Sequence, residues 1–440
     1  MSKAIEIIVA IIMLGIVITV HEFGHFLLAK VNGVVVKEFS LGMGPRLLSK
    51  VYKGTRYSLK LLPFGGSCLM LGEEDGSNEE GSFASKSVWQ RISIVFAGPF
   101  FNFILAFVMS LIILLSIGYD PCYVYSVDDI VKEQTGLTEN DTILSYNGHR
   151  IHLGRELSMY EVLDGIGDKP IEITFLHDGK KITKTYQPVH TAKYFLGIYY
   201  QISDSLTGNG PMVLSDIVAD GAAAKAGLQA EDKFLAINDT EIATVNDFTS
   251  YIEKNPLNGE PLTIRYERAG KVSETKLTPL FEDSYGLGFA YNINGREKCG
   301  VMKSVQYGCI EVNYWIKSTV KSLGYMLRGK ASRKDIGGPV RVVSEMTDVM
   351  DDSYHTDGLF YAFLNLLNWA ILLSANLGVM NLLPIPALDG GRLLVYLIEI
   401  IRGKKMKPEH EAIINVIGFA LLMLLMVFIL FNDIINVVNK

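Results

Sequence analysis

The chain has 440 residues, 49% hydrophobic and only 20% charged, with a net charge of −6, and its mean hydropathy is +0.25. That composition excludes a disordered chain, because there is ample apolar material to build cores. It also excludes a nucleic-acid partner, since Lys and Arg (41) fall below Asp and Glu (47) and no dense basic stretch occurs. The hydrophobicity is concentrated in four stretches, about residues 7–29, 92–119, 359–388 and 412–432, each long enough for a bilayer core that takes about 20 apolar residues. The chain therefore reads as an α-helical, multi-pass membrane protein.

The first stretch lacks a basic leader (Lys3 is soon followed by Glu6) and a small-residue cleavage site, so it reads as a retained helix. It is interrupted by His21-Glu22-Phe23-Gly24-His25, an H-E-x-x-H pattern. Residues four apart on a helix share a face, so both imidazoles can reach one ion, while Glu22 is offset and can face a water. Two imidazoles plus a carboxylate suit zinc with an open fourth position. Three polar groups inside a spanning segment would each cost about 2–3 kcal/mol without a partner. Structural histidines are the simpler alternative, but a coordinated cation supplies that partner.

Residues 33–72 alternate and are rich in glycine (Gly42, Gly44, Gly65, Gly66), which predicts short hairpins with an open edge around Ser67–Met70. A plain cytoplasmic loop is the alternative. Residues 75–87 read as a solvated loop, and Ala97-Gly98-Pro99 predicts close helix packing and a kink rather than chemistry.

The section from about 120 to 295 contains a duplication at an offset of 91 residues: Val127 meets Val218, Asp141 meets Asp232, Asn147 meets Asn238, and Leu196-Gly197 meets Leu287-Gly288. Each copy predicts a short helix ending at Gly-Leu, then a strand (142–146 or 233–237). A turn at Asn147-Gly148 or Asn238-Asp239 follows, and a second hairpin turns at Gly179 or Gly270. This pattern resembles the PDZ domain, and Tyr285-Gly286-Leu287-Gly288-Phe289 is similar to the loop with which that family cradles a peptide C-terminus. We take each such loop to close its own copy, giving one PDZ-like domain at 120–205 and another at 206–295. Peptide capture by strand addition and a plain size filter both fit.

Cys299 and Cys309 fall on the same predicted side and are candidates to pair, with free thiols the simpler reading. Within 296–358, apolar residues at helical spacing between Val301 and Leu327 predict an amphipathic helix on the membrane face. The segment Ile336-Gly337-Gly338-Pro339-Val340 is assigned no chemistry. The third stretch runs into Asn381-Leu382-Leu383-Pro384-Ile385-Pro386-Ala387-Leu388-Asp389-Gly390-Gly391. Broken backbone at membrane depth is tolerated only where it lines protein or a wet cavity, which makes Asp389 the candidate third ligand. A helix cap is its alternative role.

Nine Lys and Arg lie between residues 30 and 91, and Arg402, Lys404, Lys405 and Lys407 precede the last stretch. The positive-inside rule then places both of those loops in the cytoplasm and residues 120–355 outside. H-E-x-x-H in the first span with N-x-x-P-x-P-x-L-D-G in a late one resembles the site-2 protease family of intramembrane metalloproteases. The tandem PDZ-like pair is similar to the bacterial envelope-stress branch of that family. The resemblance implies zinc held by His21, His25 and Asp389, Glu22 as catalytic base, and Asn381 positioning substrate or stabilising an oxyanion. It also implies a cytoplasmic membrane-associated β-hairpin region and a plasma-membrane location with the active site near the cytoplasmic side. The substrates implied are single-span membrane proteins such as anti-sigma factors and remnant signal peptides, in regulated intramembrane proteolysis. The membrane regions are then 1–119 and 359–440. A membrane scaffold with a vestigial site is the alternative, which the intact Glu22 disfavours. A transporter would predict inverted repeats among the spans, and none is visible.

Overall fold

The computed structural model describes every residue except 1–2, 74–78, 201–209, 219–220, 293–294, 331–336, 407 and 439–440. The acidic start of the 75–87 loop, Ile336 and the boundary expected at 205–206 lie outside the described residues. Two compact units form: residues 1–121, 152–163 and 293–440, and residues 122–151 and 164–292.

The first unit is helical. Among the described residues, four helices are long and apolar enough to cross a membrane: Lys3–Val31, Val88–Ile117, Leu359–Asn381 and Ile413–Phe431. In chain-order numbering these are α1 (Lys3–Val31), α2 (Val88–Ile117), α9 (Leu359–Asn381) and the core of α11 (Pro408–Val438). The third was expected to reach residue 388 but ends at Asn381. Pro384 and Pro386 have no N–H to continue it. A capping box of Ser87 with Gln90 starts α2, and Gly118, at φ 87°, ends it. Helix α1 packs against α2 where Gly24 meets the Ala97 carbonyl, a contact that admits no Cβ. On α9, Gly378 lies against Phe103 and the Pro99 carbonyl, so α2 is the central helix with α1 and α9 on its flanks.

Between α1 and α2, strands β1 (Val36–Tyr52) and β2 (Thr55–Met70) form one long, bent hairpin. The glycines divide it: residues 38–41 pair with 66–69 on one side and with 56–59 on the other. Gly42, Gly44 and Gly65 all have positive φ at the bends. The expected short hairpins are thus segments of a single curled ribbon. Helix α10 (Asp389–Arg402) closes the unit, its Val395 and Tyr396 packing with Ala29, Val36, Met70 and Ile94. The Arg91–Glu399 ion pair, 6% exposed on each side, ties α10 to the base of α2, and the Arg91 guanidinium stacks 4.6 Å over the Tyr396 ring.

Helix α7 (Val301–Leu327) forms with the expected bounds; one face packs on α2 and α9, while Val305, Val320 and Met326 are exposed. Gly308 sits against Phe107 and Leu111, while Val312 and Trp315 join Ala106, Ile113 and Leu364. Helix α8 (Pro339–Thr356) packs on α1 and α9 through Met346, which joins Ala10, Met13 and Ala370. Helix α4 (Gly154–Asp164), which the sequence reading does not anticipate, falls within the bounds expected for the first repeat, yet residues 152–163 group with this unit. Its Arg155 bonds Asp120 at 2.9 Å and Glu311 at 2.6 Å, a buried triad that burial alone would make costly for each charge. All four cysteines are free thiols, so Cys299 and Cys309 do not pair.

The second unit carries the repeat twice. Strands β4 (Thr142–Tyr146), β5 (His149–Arg150), β6 (Ile171–His177) and β7 (Lys180–Tyr186) form a sheet in the order β5-β4-β6-β7. Its counterpart is β12-β11-β13-β14, from β11 (Lys233–Ile237), β12 (Thr240–Glu241), β13 (Leu262–Arg268) and β14 (Lys271–Leu277). The expected turns are in place, with positive φ at Asn147, Gly148, Gly179 and Gly270. Short helices α3 (Asp129–Thr135) and α5 (Ala222–Lys225) precede the Gly-Leu positions. Helix α6 (Val245–Lys254), with a Thr244–Asp247 capping box, was not anticipated. A buried aspartate occupies the same place in each copy. Asp141 pairs with His177 at 2.9 Å, and Asp232 pairs with Arg268, the equivalent position, at 2.6 Å.

The strand pairing corrects the expected boundaries. Strand β9 (Ile198–Tyr200) pairs with β10 (Leu214–Ile217), so the Leu196-Gly197 loop opens the second copy. Strand β16 (Phe289–Tyr291) pairs with β3 (Val124–Val127), so the Leu287-Gly288 loop serves the first copy. The linking strands β8 (Val189–Phe195) and β15 (Leu280–Gly286) pair with each other along seven residues. Both copies carry the same Leu-Gly strand, so only the path of the connecting chain decides which copy receives which strand.

Candidate metal centre

His21 and His25 lie one turn apart on α1, both buried, their rings edge to face with centroids 4.8 Å apart. Their Nε2 atoms are 3.2 Å apart. Asp389 Oδ2 stands 3.2 Å from Nε2 of His21 and 3.4 Å from Nε2 of His25, although residues 21 and 389 are far apart in the chain. Asp389 is the first helical residue of α10; Leu388 is the cap, so the alternative capping role does not apply.

The glycines after Asp389 are required by the fold. A Cβ at Gly390 would overlap the carbonyls of Leu382 and Leu383, and one at Gly391 would overlap that of Ile385. The chain thus doubles back on itself after α9, with Ala387 held at φ 73° beside the site.

The three donor atoms form a nearly equilateral triangle. Ligands about 2.0–2.1 Å from a tetrahedral zinc ion stand about 3.3–3.4 Å apart, which matches these edges. His25 Nδ1–H donates to the Ile94 carbonyl at 2.9 Å, which leaves its Nε2 a bare lone pair. Asp389 Oδ2 is buried and accepts no hydrogen bond among the described residues. Converging lone pairs in a buried place repel one another unless a cation stands between them. The donor set, two imidazoles and one carboxylate, fits zinc.

These side chains line a cavity of about 530 Å³ that Glu22 also faces. Glu22 lies against β2, its Cγ 3.2 Å from where a Cβ of Gly66 would stand. Asn381, at the end of α9, brings its amide nitrogen within 3.3 Å of His21 Nε2. Cys68 and Met70 of β2 form one wall, and the Arg392–Glu73 ion pair joins α10 to the loop after β2. Burial, reinforced by the Glu22 and Glu73 carboxylates, pushes the Cys68 thiol well above its usual range, so it is no nucleophile.

The structure therefore brings His21, Glu22, His25, Asn381 and Asp389 together at one cavity. Sequence reasoning missed Asn102, a fully buried residue of α2 whose amide nitrogen is 3.3 Å from His21 Nδ1. The signal was available: an amide in an otherwise apolar span is costly unless it has a partner.

Comparison with known proteins agrees with this arrangement. The chain is 30% identical over 451 residues to the zinc metalloprotease RasP of Geobacillus kaustophilus, covering 99% of each chain. It is 31% identical to the regulator of sigma E protease of Haemophilus influenzae, covering 96% of this chain and 97% of that one. The model of Peptidase family M50 matches residues 9–425, nearly the full length, and the chain belongs to that family, the site-2 proteases.

Proposed function

We propose that His21, His25 and Asp389 hold the zinc of this metalloprotease and that Glu22 is its catalytic base. The observation that carries this assignment is the 3.2, 3.2 and 3.4 Å triangle of buried, converging donor atoms. The chain is a multi-pass membrane zinc metalloendopeptidase of regulated intramembrane proteolysis. Zinc in such a site supplies a Lewis acid and lowers the pKa of a water to about 7. Glu22 takes the proton of the water that adds to the scissile carbonyl and hands it to the leaving amine. The Asn381 amide N–H donates to the oxygen that gains charge as the carbonyl becomes tetrahedral. No covalent intermediate is needed.

A helical substrate presents a shielded peptide bond, so a segment must be extended before cleavage. Residues 66–69 of β2 pair as a strand only with 38–41 among the described residues, and Cys68 and Met70 line the cavity. A substrate strand added to that edge would lie beside Glu22.

The sidedness follows from the basic loops: the site near the cytoplasmic face, and both PDZ-like repeats outside, as a gate against bulky ectodomains. Substrates are then single-span proteins already trimmed on the outside, such as anti-sigma factors and remnant signal peptides. The scaffold alternative has no observation in its favour.

The test is cleavage of a tagged single-span protein by the purified chain in detergent. Wild type should cut, and Glu22→Gln should retain zinc but not cut. Equal cleavage by both would sink the assignment of Glu22, and full zinc content in Asp389→Ala would sink that of the ligands.

A further inference from the structure

Helix α2 supplies no ligand, yet three of its positions spaced four apart, Ile94, Gly98 and Asn102, face the two imidazoles on one stripe. The Ile94 carbonyl accepts His25 Nδ1–H at 2.9 Å. At Gly98 a Cβ would stand 2.8 Å from His21 Cε1 and closer still to the His25 ring, so only glycine leaves both rings their place. Asn102 is fully buried, and its backbone carbonyl accepts the Ser374 hydroxyl at 2.7 Å, which pins this turn of α2 to α9. Its side-chain nitrogen lies 3.3 Å from His21 Nδ1, while its Oδ1 has no hydrogen-bond partner among the described residues.

We infer that Asn102 is a positioning residue for the metal centre, presenting its amide oxygen to His21 Nδ1–H and so fixing the tautomer whose Nε2 is free to bind the ion. The two ends of an amide are isosteric, and the hydrogen-bond network decides which of them faces the ring. If the amide nitrogen donated to Nδ1, His21 would carry its proton on Nε2, between His25 Nε2 and Asp389 Oδ2, and would have no lone pair there for an ion; Oδ2 accepts no hydrogen bond among the described residues. With the oxygen turned inward, His21 matches His25: Nδ1–H to an oxygen, Nε2 bare. One stripe of α2 thereby sets both ligands, through a backbone carbonyl for one ring and a side-chain amide for the other. Such outer partners orient metal-bound histidines and raise their basicity.

The inference rests on the ligand assignment above, and the experiment separates the two. Zinc affinity of the full-length chain in detergent is measured by chelator competition, and the visible absorption of the cobalt-loaded protein is recorded. Asn102→Leu, similar in volume but without an acceptor, should lower zinc affinity by about 10–100-fold and alter the cobalt spectrum. Asn102→Asp keeps an acceptor for Nδ1–H and should stay close to wild type in both. A packing role alone predicts the reverse order, with leucine tolerated and a buried charge harmful. Wild-type affinity and spectrum in Asn102→Leu would overturn the inference, provided His21→Ala loses zinc. Should His21→Ala keep its zinc, the ligand assignment itself has failed. If Asn102→Leu does not fold, Asn102→Asp decides: retained zinc supports the role and lost zinc overturns it.

Discussion

Helices α1 and α11 are alike in the apolar length that marks a membrane span, yet protein covers them to different extents. A third of the most apolar window of α1 is buried within the protein, against 6% for that of α11. The difference lies in three side chains. His21, Glu22 and His25 could not face lipid without a penalty of about 2–3 kcal/mol each, so α1 is stable in a membrane only when wrapped by other elements. Its wrapping comes from α2, α8, α9 and β2. Helix α11 has no such demand; it touches α8, and its Gly418 rests on Pro386. Hydropathy locates spans; the polar residues within them tell which spans must be surrounded.

Substitutions on the wrapped side should therefore be severe and those on the exposed face of α11 nearly silent. Glu22→Gln should reduce the cleavage rate by about 10²–10⁴-fold with zinc retained, read by turnover of a tagged substrate and metal analysis. Arg91→Leu, which strands Glu399 as an unpaired buried carboxylate, should destabilise by about 3–5 kcal/mol in detergent unfolding. Replacing Arg91 and Glu399 together with apolar residues should recover most of that loss. Gly24→Ala forces α1 away from the Ala97 carbonyl and should cost about 1–3 kcal/mol, with the zinc site loosening in step.

A smaller effect belongs to the ribbon. Arg46 beside Glu38 lowers that carboxyl from 4.5 to about 2. A depressed folded-state value means that the stabilisation is present above pH 4.5 and lost as pH falls toward about 2. Amide exchange in β1 should therefore quicken over that window and not above it, and the dependence should vanish in Glu38→Gln. At the bottom of the scale, Leu424→Ala on the exposed face of α11 should change stability by no more than about 0.5 kcal/mol. A large effect there would mean that α11 is packed after all and would undo the contrast with α1.

Much of this molecule can be read locally. The four spans, the strands 142–146 and 233–237, and the turns at Gly179 and Gly270 follow from hydrophobic period and turn chemistry. The H-E-x-x-H spacing alone places two imidazoles on one face. Helix α6 is legible too, since Thr244 and Asp247 form a capping box at its start.

Other features had no local signal. The exchange of β9 and β16 between repeats is invisible because both copies carry equivalent Leu-Gly strands; the connection between β8 and β15 makes the choice. Residues 152–163 group with the helical unit, where Arg155 meets Asp120 and Glu311, three charges far apart in the chain. The sequence could nominate Asp389, since broken backbone in a membrane has to line something. Only the doubling back of the chain over Gly390 and Gly391 brought that carboxylate to the imidazoles. Asn102 belongs to the same class. Periodicity and composition are written residue by residue, and so they survive in one dimension. The meeting of side chains hundreds of positions apart is fixed by how closely packed helices approach, which only the assembled fold contains.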